Sequence, residues 1–168
     1  QKLSKFSMID RGQALDVFAE RVSVLSEEAS ALGVSLLVEN NVINAANLEV
    51  YGEDPLLLTH PDEIAEFMSI APSNVGLLLD VAHLKVSAES LGFDLVMAHE
   101  QLKPWISAYH LSDNDSISDS NDPVTEESWF WPYLKSNMEF YTLEVYGTSP
   151  RDLLQQHNMV QQKLSTVQ

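Results

Sequence analysis

Apolar residues between Asp10 and Leu32 fall at positions 14, 15, 18, 22, 25, 29 and 32, a spacing that predicts a helix. Gly33 follows as a C-terminal stop. The pattern then changes. Val34–Glu39 (VSLLVE) is a short, nearly continuous apolar run, as expected for a strand covered on both faces. The alternation repeats down the chain. Pro61 opens a second helix, PDEIAEFMSIA, and Val75–Asp80 (VGLLLD) reads as a second buried strand. A helix is predicted from about Ser90 to Lys103, closed by Pro104, before a third strand at Ile106–Leu111. A further helix is predicted from about Glu126 to Lys135, kinked at Pro132, followed by a fourth strand at Glu139–Val145. Ser149-Pro150 opens the last helix, with Ser149 as its N-cap. Two long polar stretches, 40–58 and 112–125, read as loops.

Helices and strands in strict alternation predict an α/β fold with a parallel sheet. A doubly wound sheet and half of an eight-stranded barrel both fit. No strand is followed by a Gly-rich phosphate loop, which weakens the first. The second is favoured by polar residues at the ends of successive strands, the face where barrel chemistry gathers. The expectation is one partial (β/α) barrel domain over residues 1–168. Because the chain enters on a helix feeding straight into a buried strand, it reads as the C-terminal half of a (β/α)8 barrel whose N-terminal half is absent. Four strands cannot close a barrel, so two open edges invite pairing with another chain, including a second copy.

The four strands end on Glu39, Asp80, His110 and Glu144, spaced 41, 30 and 34 residues apart. One strand-helix repeat takes roughly 30 residues or more, so the spacing places three carboxylates and one imidazole at the same end of the sheet. Buried carboxylates repel one another, and a divalent cation is one way to stabilise them together. His83, three residues after Asp80, is a second polar group at that end and a candidate metal or substrate contact. His110 and Asp113 form another H-x-x-D pair, in which Asp113 could accept the imidazole N–H or meet substrate. Lys85 could meet an anionic substrate group. Trp129-Phe130-Trp131 is either an apolar wall over a ligand, an oligomer contact or helix packing.

Composition narrows the chemistry. The net charge of −16 leaves too few basic residues for a phosphate-backbone surface, which disfavours nucleic acid. With no cysteine, any metal must be held by oxygen and imidazole. Oxygen-rich ligation with one nitrogen points to Mn²⁺ or Mg²⁺, with Co²⁺ or Zn²⁺ as alternatives. No apolar run approaches the roughly 18–20 residues of a membrane helix, and no targeting segment is visible; a cytoplasmic location is the default expectation.

The motifs VEN (38–40), DVAH (80–83), HLSDND (110–115) and LEVY (143–146), in this order and spacing, resemble the xylose isomerase-like TIM barrels. That group includes sugar-phosphate isomerases and epimerases and the endonuclease-IV-type apurinic endonucleases. The resemblance covers nearly the whole chain. It implies that Glu39, Asp80, His110 and Glu144 bind one divalent cation and that His83 is a substrate-binding or second-metal position. It also implies that Glu39 and Glu144 move the proton in a sugar or sugar-phosphate isomerase or epimerase working through an enediolate. A dehydratase or aldolase-like lyase would use the same chemistry. The endonucleases carry an Asp-x-His pair where this chain has Asp119-Ser-Asn121. That departure, with the acidic charge, makes a phosphodiesterase the alternative, beside a non-catalytic half-barrel assembly module.

Overall fold

The computed structural model describes residues 3, 7–138 and 140–166. Its element order is α1 (Arg11–Ala31), β1 (Leu36–Glu39), α2 (Ala45–Tyr51), α3 (Pro61–Ile70), β2 (Val75–Asp80), α4 (Val81–Leu91), α5 (Leu95–Leu102), β3 (Ile106–Leu111), β4 (Tyr141–Leu143) and α6 (Pro150–Thr166). The strands form one sheet in the order β1-β2-β3-β4, and every neighbouring pair is parallel. Sequential parallel strands, joined by helices from β1 to β3 and by a helix-free segment from β3 to β4, make the α/β, half-barrel architecture that the alternating pattern predicts. No described helix is long and apolar enough to cross a membrane.

Burial alternates along the strands. Val75, Leu77 and Leu79 of β2 and Tyr109 and Leu111 of β3 are buried and join Ile64, Phe67, Leu84 and Leu102 from the helices in one core. The opposite face carries Leu37, Gly76, Leu78, Ser107 and Thr142, all at least partly exposed. Gly76 belongs there for a local reason. The β2–β3 register slips between Leu77 and Leu78, and a side chain at Gly76 would run into Ser107 Cβ (2.7 Å) and Leu37 Cδ2 (2.9 Å).

Several boundaries differ from the sequence reading. The 40–58 stretch contains α2, capped by Asn44 and ended by Gly52 in the left-handed region. Where one helix is expected, from about Ser90 to Lys103, the chain forms α5, and a second, unexpected helix, α4, precedes it. Helix α4 starts directly after Asp80 and ends at Gly92; α5 is capped by Asp94. The helix expected over 126–135 does not form. That segment is a run of turns in which Tyr133 N–H and Leu134 N–H both reach Phe130 O. Pro132 lacks an N–H and disfavours helical geometry at Trp131, while Ser128 Oγ and Thr125 O take up the local donors instead. The fourth strand is shorter than expected, and Glu139, its expected start, lies outside the described residues. The aromatic run packs inward, with Phe130 and Trp131 buried in the core. Gly33 and Ser149 stand as expected, and His60 caps α3 ahead of Pro61.

His99 on α5 is fully buried. Its ring stacks on Tyr109 at 6.0 Å between centroids, and Nε2 lies 3.2 Å from Tyr109 Oη. Burial pushes its pKa down to about 4, against the pull of the neighbouring Glu100 carboxylate. The ring is therefore neutral in the folded protein at pH 7. As pH falls below the usual histidine value the unfolded chain takes up a proton that the folded chain refuses until about pH 4. Stability should fall across that window and level off below it, by at most roughly 3 kcal/mol from this residue. Urea unfolding at pH 7 and pH 4.5 should show a loss in the wild type that is smaller by this amount in His99→Phe; equal losses in both would contradict the assignment.

Candidate metal centre

Strand register builds the centre. Asp80 pairs with His110, and His110 with Thr142, so these side chains share one face of the sheet. Glu144 lies two residues beyond Thr142, and Asp80 two beyond Leu78, the partner of Glu39. A period of two returns the same face, so Glu39, Asp80, His110 and Glu144 all project from the C-terminal ends of the strands on the face away from the helices. One ligand atom from each lies within 4.8 Å of all the others. His110 Nδ1 stands 2.8 Å from Glu144 Oε2, 3.3 Å from Glu39 Oε1 and 3.8 Å from Asp80 Oδ2.

The polar atoms at the middle are unsatisfied. Asp80 is fully buried and caps α4: its Oδ1 accepts from Ala82 N–H and His83 N–H, both at 2.8 Å. Its Oδ2 has no hydrogen-bond partner, and neither does His110 Nδ1 despite its close carboxylates. Orphaned buried polar atoms cost roughly 1–3 kcal/mol each. A divalent cation would satisfy both, and a donor set of three carboxylates and one imidazole suits such an ion. The residues present therefore fit the group. Exposure rises from Asp80, at 0%, to Glu39, at 37% of its side chain, which leaves an approach from solvent.

Electrostatics agree with that reading. The His110 pKa is raised, first by the Glu39 carboxylate beside it; the Glu39 pKa is lowered, first by His110. Burial raises the Asp80 pKa. His83 is pushed up to about 9, because the Asp119 and Asp80 carboxylates outweigh the burial that would lower it. Four carboxyl groups thus face two imidazoles, an excess of acidic groups that favours a cation.

The other expected residues divide into two groups. His83 reaches the cluster: its Nε2 lies 3.9 Å from Asp80 Oδ2 and its Nδ1 3.7 Å from Glu39 Oε1. Lys85 and Asp113 are brought to each other instead. Lys85 Nζ lies 2.6 Å from Asp113 Oδ1, and Asp113 Oδ2 accepts from Ser128 Oγ at 2.7 Å. An antiparallel bridge between Asp113 and Asp122 closes the 112–125 loop at the same place.

Three residues at the site carried no role in the sequence reading. Asp119 Oδ2 lies 3.5 Å from His83 Nε2, and its buried Oδ1 has no partner. The signal was present in the retained aspartate of the Asp119-Ser-Asn121 stretch. Asn121, at the position where the endonucleases place a histidine, holds the backbone: Nδ2 donates to Glu144 O at 3.1 Å, and its carbonyl accepts from Tyr146 N–H at 3.0 Å. Tyr146 Oη donates to Glu144 Oε1 at 2.7 Å, which leaves Oε2 facing His110. A cavity of about 950 Å³ lies elsewhere, between the start of α1 and residues 53–63, and none of the predicted site residues lines it.

No family model and no curated protein matches the chain. Solved structures do. One is the TTHB071 protein from Thermus thermophilus, from a crystal soaked with ZnCl2, at 18% identity and TM-score 0.56; the match covers 94% of this chain and 59% of that one. Another is the probable 3-DHS dehydratase AsbF of Bacillus anthracis, involved in petrobactin synthesis, at 17% identity and TM-score 0.63; the match covers 92% of this chain and 58% of that one. At these identities the likeness establishes the fold. The chain spans less than two thirds of the length of either protein.

Cation binding must displace a proton from His110, whose pKa is raised. The apparent Mn²⁺ affinity measured by calorimetry should therefore rise with pH and level off once the ring is neutral in the free protein. Affinity that is flat or falling between pH 6 and pH 8 would count against His110 as a ligand.

Proposed function

We propose that the chain carries the metal centre of a divalent-cation-dependent sugar or sugar-phosphate isomerase or epimerase. The observation behind this reading is the convergence of Glu39, Asp80, His110 and Glu144, with an unsatisfied carboxylate oxygen at its centre. Mn²⁺ or Mg²⁺ suits the oxygen-rich set; Zn²⁺ is kept as an alternative because the Thermus protein was soaked with ZnCl2. A divalent cation held there would supply positive charge against a substrate oxygen that turns negative as the neighbouring proton leaves.

This chain's residues would do the rest. Glu39 and Glu144 both lie close to the His110 nitrogen, at 3.3 Å and 2.8 Å. The Glu39 pKa is lowered, so its carboxylate is ionised at neutral pH and able to take a proton from a carbon next to a carbonyl. Glu144 would return a proton at the paired position, with Tyr146 holding its second oxygen. His83, steadied by the Asn40 carbonyl at 2.9 Å, would bind a substrate hydroxyl. The whole reaction calls for a complete barrel, and the two free sheet edges, β1 and β4, are where further strands would join.

A second reading has its own support. The AsbF neighbour is described as a probable 3-DHS dehydratase, and dehydration of a hydroxy-carbonyl compound begins with the same proton abstraction. The substrate class, a small polyhydroxylated carbonyl compound, is shared. An apurinic endonuclease-like phosphodiesterase is disfavoured by the charge of −16 and by the commitment of Asn121 to the backbone of Glu144.

Elemental analysis of the full-length purified protein should find one Mn²⁺ or Mg²⁺ per chain. Two or three zinc ions would favour the phosphodiesterase. Glu144→Gln should keep the fold and lower sugar turnover by roughly 10²-fold or more, the usual scale for a removed acid-base group. Unchanged turnover would remove Glu144 from the mechanism, and metal binding without turnover of any sugar or hydroxy-carbonyl compound would favour an assembly module.

A further inference from the structure

The ladder between β1 and β2 stops at Glu39 and Leu78, yet Asp80 lies two residues farther along β2. Nothing in the strand pairing therefore fixes how far the Asp80 carboxylate stands from that of Glu39. Asn40 fills the gap. Its Oδ1 accepts from Asp80 N–H at 2.7 Å, and its Nδ2 donates to Asp80 O at 3.1 Å. A primary amide offers the same donor and acceptor as a peptide group, so the side chain acts as one more rung between the strands. The Asn40 main-chain carbonyl lies 2.9 Å from His83 Nδ1. It can only accept, so Nδ1 carries the proton and the ring turns Nε2 toward Asp80 and Asp119.

Asn40 is 2% exposed. A buried primary amide is costly unless its polar atoms are bonded, and here both side-chain partners belong to one residue of the metal cluster. A hydrophobic residue would be the cheaper filling for a purely structural site. We propose that Asn40 is a positioning residue of the metal centre: it sets the separation of the Glu39 and Asp80 carboxylates and holds the His83 ring in register with them. This rests on the metal reading above. It also accounts for an asparagine directly after Glu39, where the chain turns into the loop leading to α2.

The test compares Mn²⁺ binding by calorimetry in the wild type, Asn40→Ala and Ser87→Ala. Ser87 is fully buried and accepts from Ile43 N–H at 3.2 Å, so its loss removes a buried hydrogen bond from the same region without touching the cluster. Thermal melts of both variants place the titrations well below their midpoints. Asn40→Ala should bind Mn²⁺ at least tenfold more weakly, while Ser87→Ala stays within threefold of the wild type. Asn40→Ala binding within threefold, or equal losses in both variants, overturns the proposal. Should Asn40→Ala fail to fold, the wild type alone decides. Without metal, the Asn40 side-chain amide protons and the Asp80 amide should be protected from solvent exchange in NMR spectra, and exchange at the rate of exposed amides overturns the clamp. Wild-type protein that binds no Mn²⁺ sinks the metal reading first and this proposal with it.

Discussion

One buried carboxylate oxygen sets the terms for the rest of the molecule. Asp80 is fully enclosed, and one of its oxygens caps α4. The other faces two imidazoles and further carboxylates without a hydrogen bond. In a low-dielectric setting that oxygen must be protonated or be met by a cation. Protonation would leave His110 Nδ1 and the carboxylates of Glu39 and Glu144 converging on the same space with nothing to hold them. A divalent ion resolves all of these conflicts at once.

The surrounding fold keeps that conflict in place. Parallel register puts the four side chains on one face, and the buried outer residues of β2 and β3 tie that face to the helical core. Three asparagines then hold the backbone where the ladders have ended. Asn40 pairs with Asp80, Asn114 donates to Ala82 O in the first turn of α4, and Asn121 donates to Glu144 O. Asn40 and Asn121 bond the backbone at strand ends and Asn114 bonds the start of a helix, in each case through a side-chain amide. The backbone can thus leave regular structure at the C-terminal ends of the strands without stranding buried donors and acceptors. The Lys85–Asp113 pair does the same work for the 112–125 loop, from which Asp119 reaches His83.

Much of this was legible in the chain because the strands of a parallel sheet leave a nearly continuous apolar run that stops at a polar residue, although here one face stays partly exposed. β2 and β3 begin and end where the pattern puts them, and their terminal polar residues are the site. The misreadings share a cause, in that local side-chain bonding to the backbone overrides the wider pattern. Asp80 is at once the last residue of β2 and the N-cap of α4, so no break separates strand from helix and α4 goes unrecognised. Likewise, the helical spacing over 126–135 competes with Pro132 and with Ser128 and Thr125, which bond the backbone locally and win. Asp119 and Asn40 both lie in stretches that the sequence marks out, yet nothing in the pattern states what either one touches. Their roles come from a loop folding back and from the end of a strand ladder, which only three-dimensional placement reveals. Lys85 and Asp113 illustrate the converse: both have the chemistry of substrate contacts, and the fold joins them to each other.

The most direct test is a crystal of the full-length protein grown with Mn²⁺ and measured for anomalous scattering. The account predicts a single strong peak bonded to one carboxylate oxygen each from Glu39, Asp80 and Glu144 and to Nδ1 of His110. A protein saturated with Mn²⁺ that shows no peak among these four residues, or a peak held by other side chains, would contradict it.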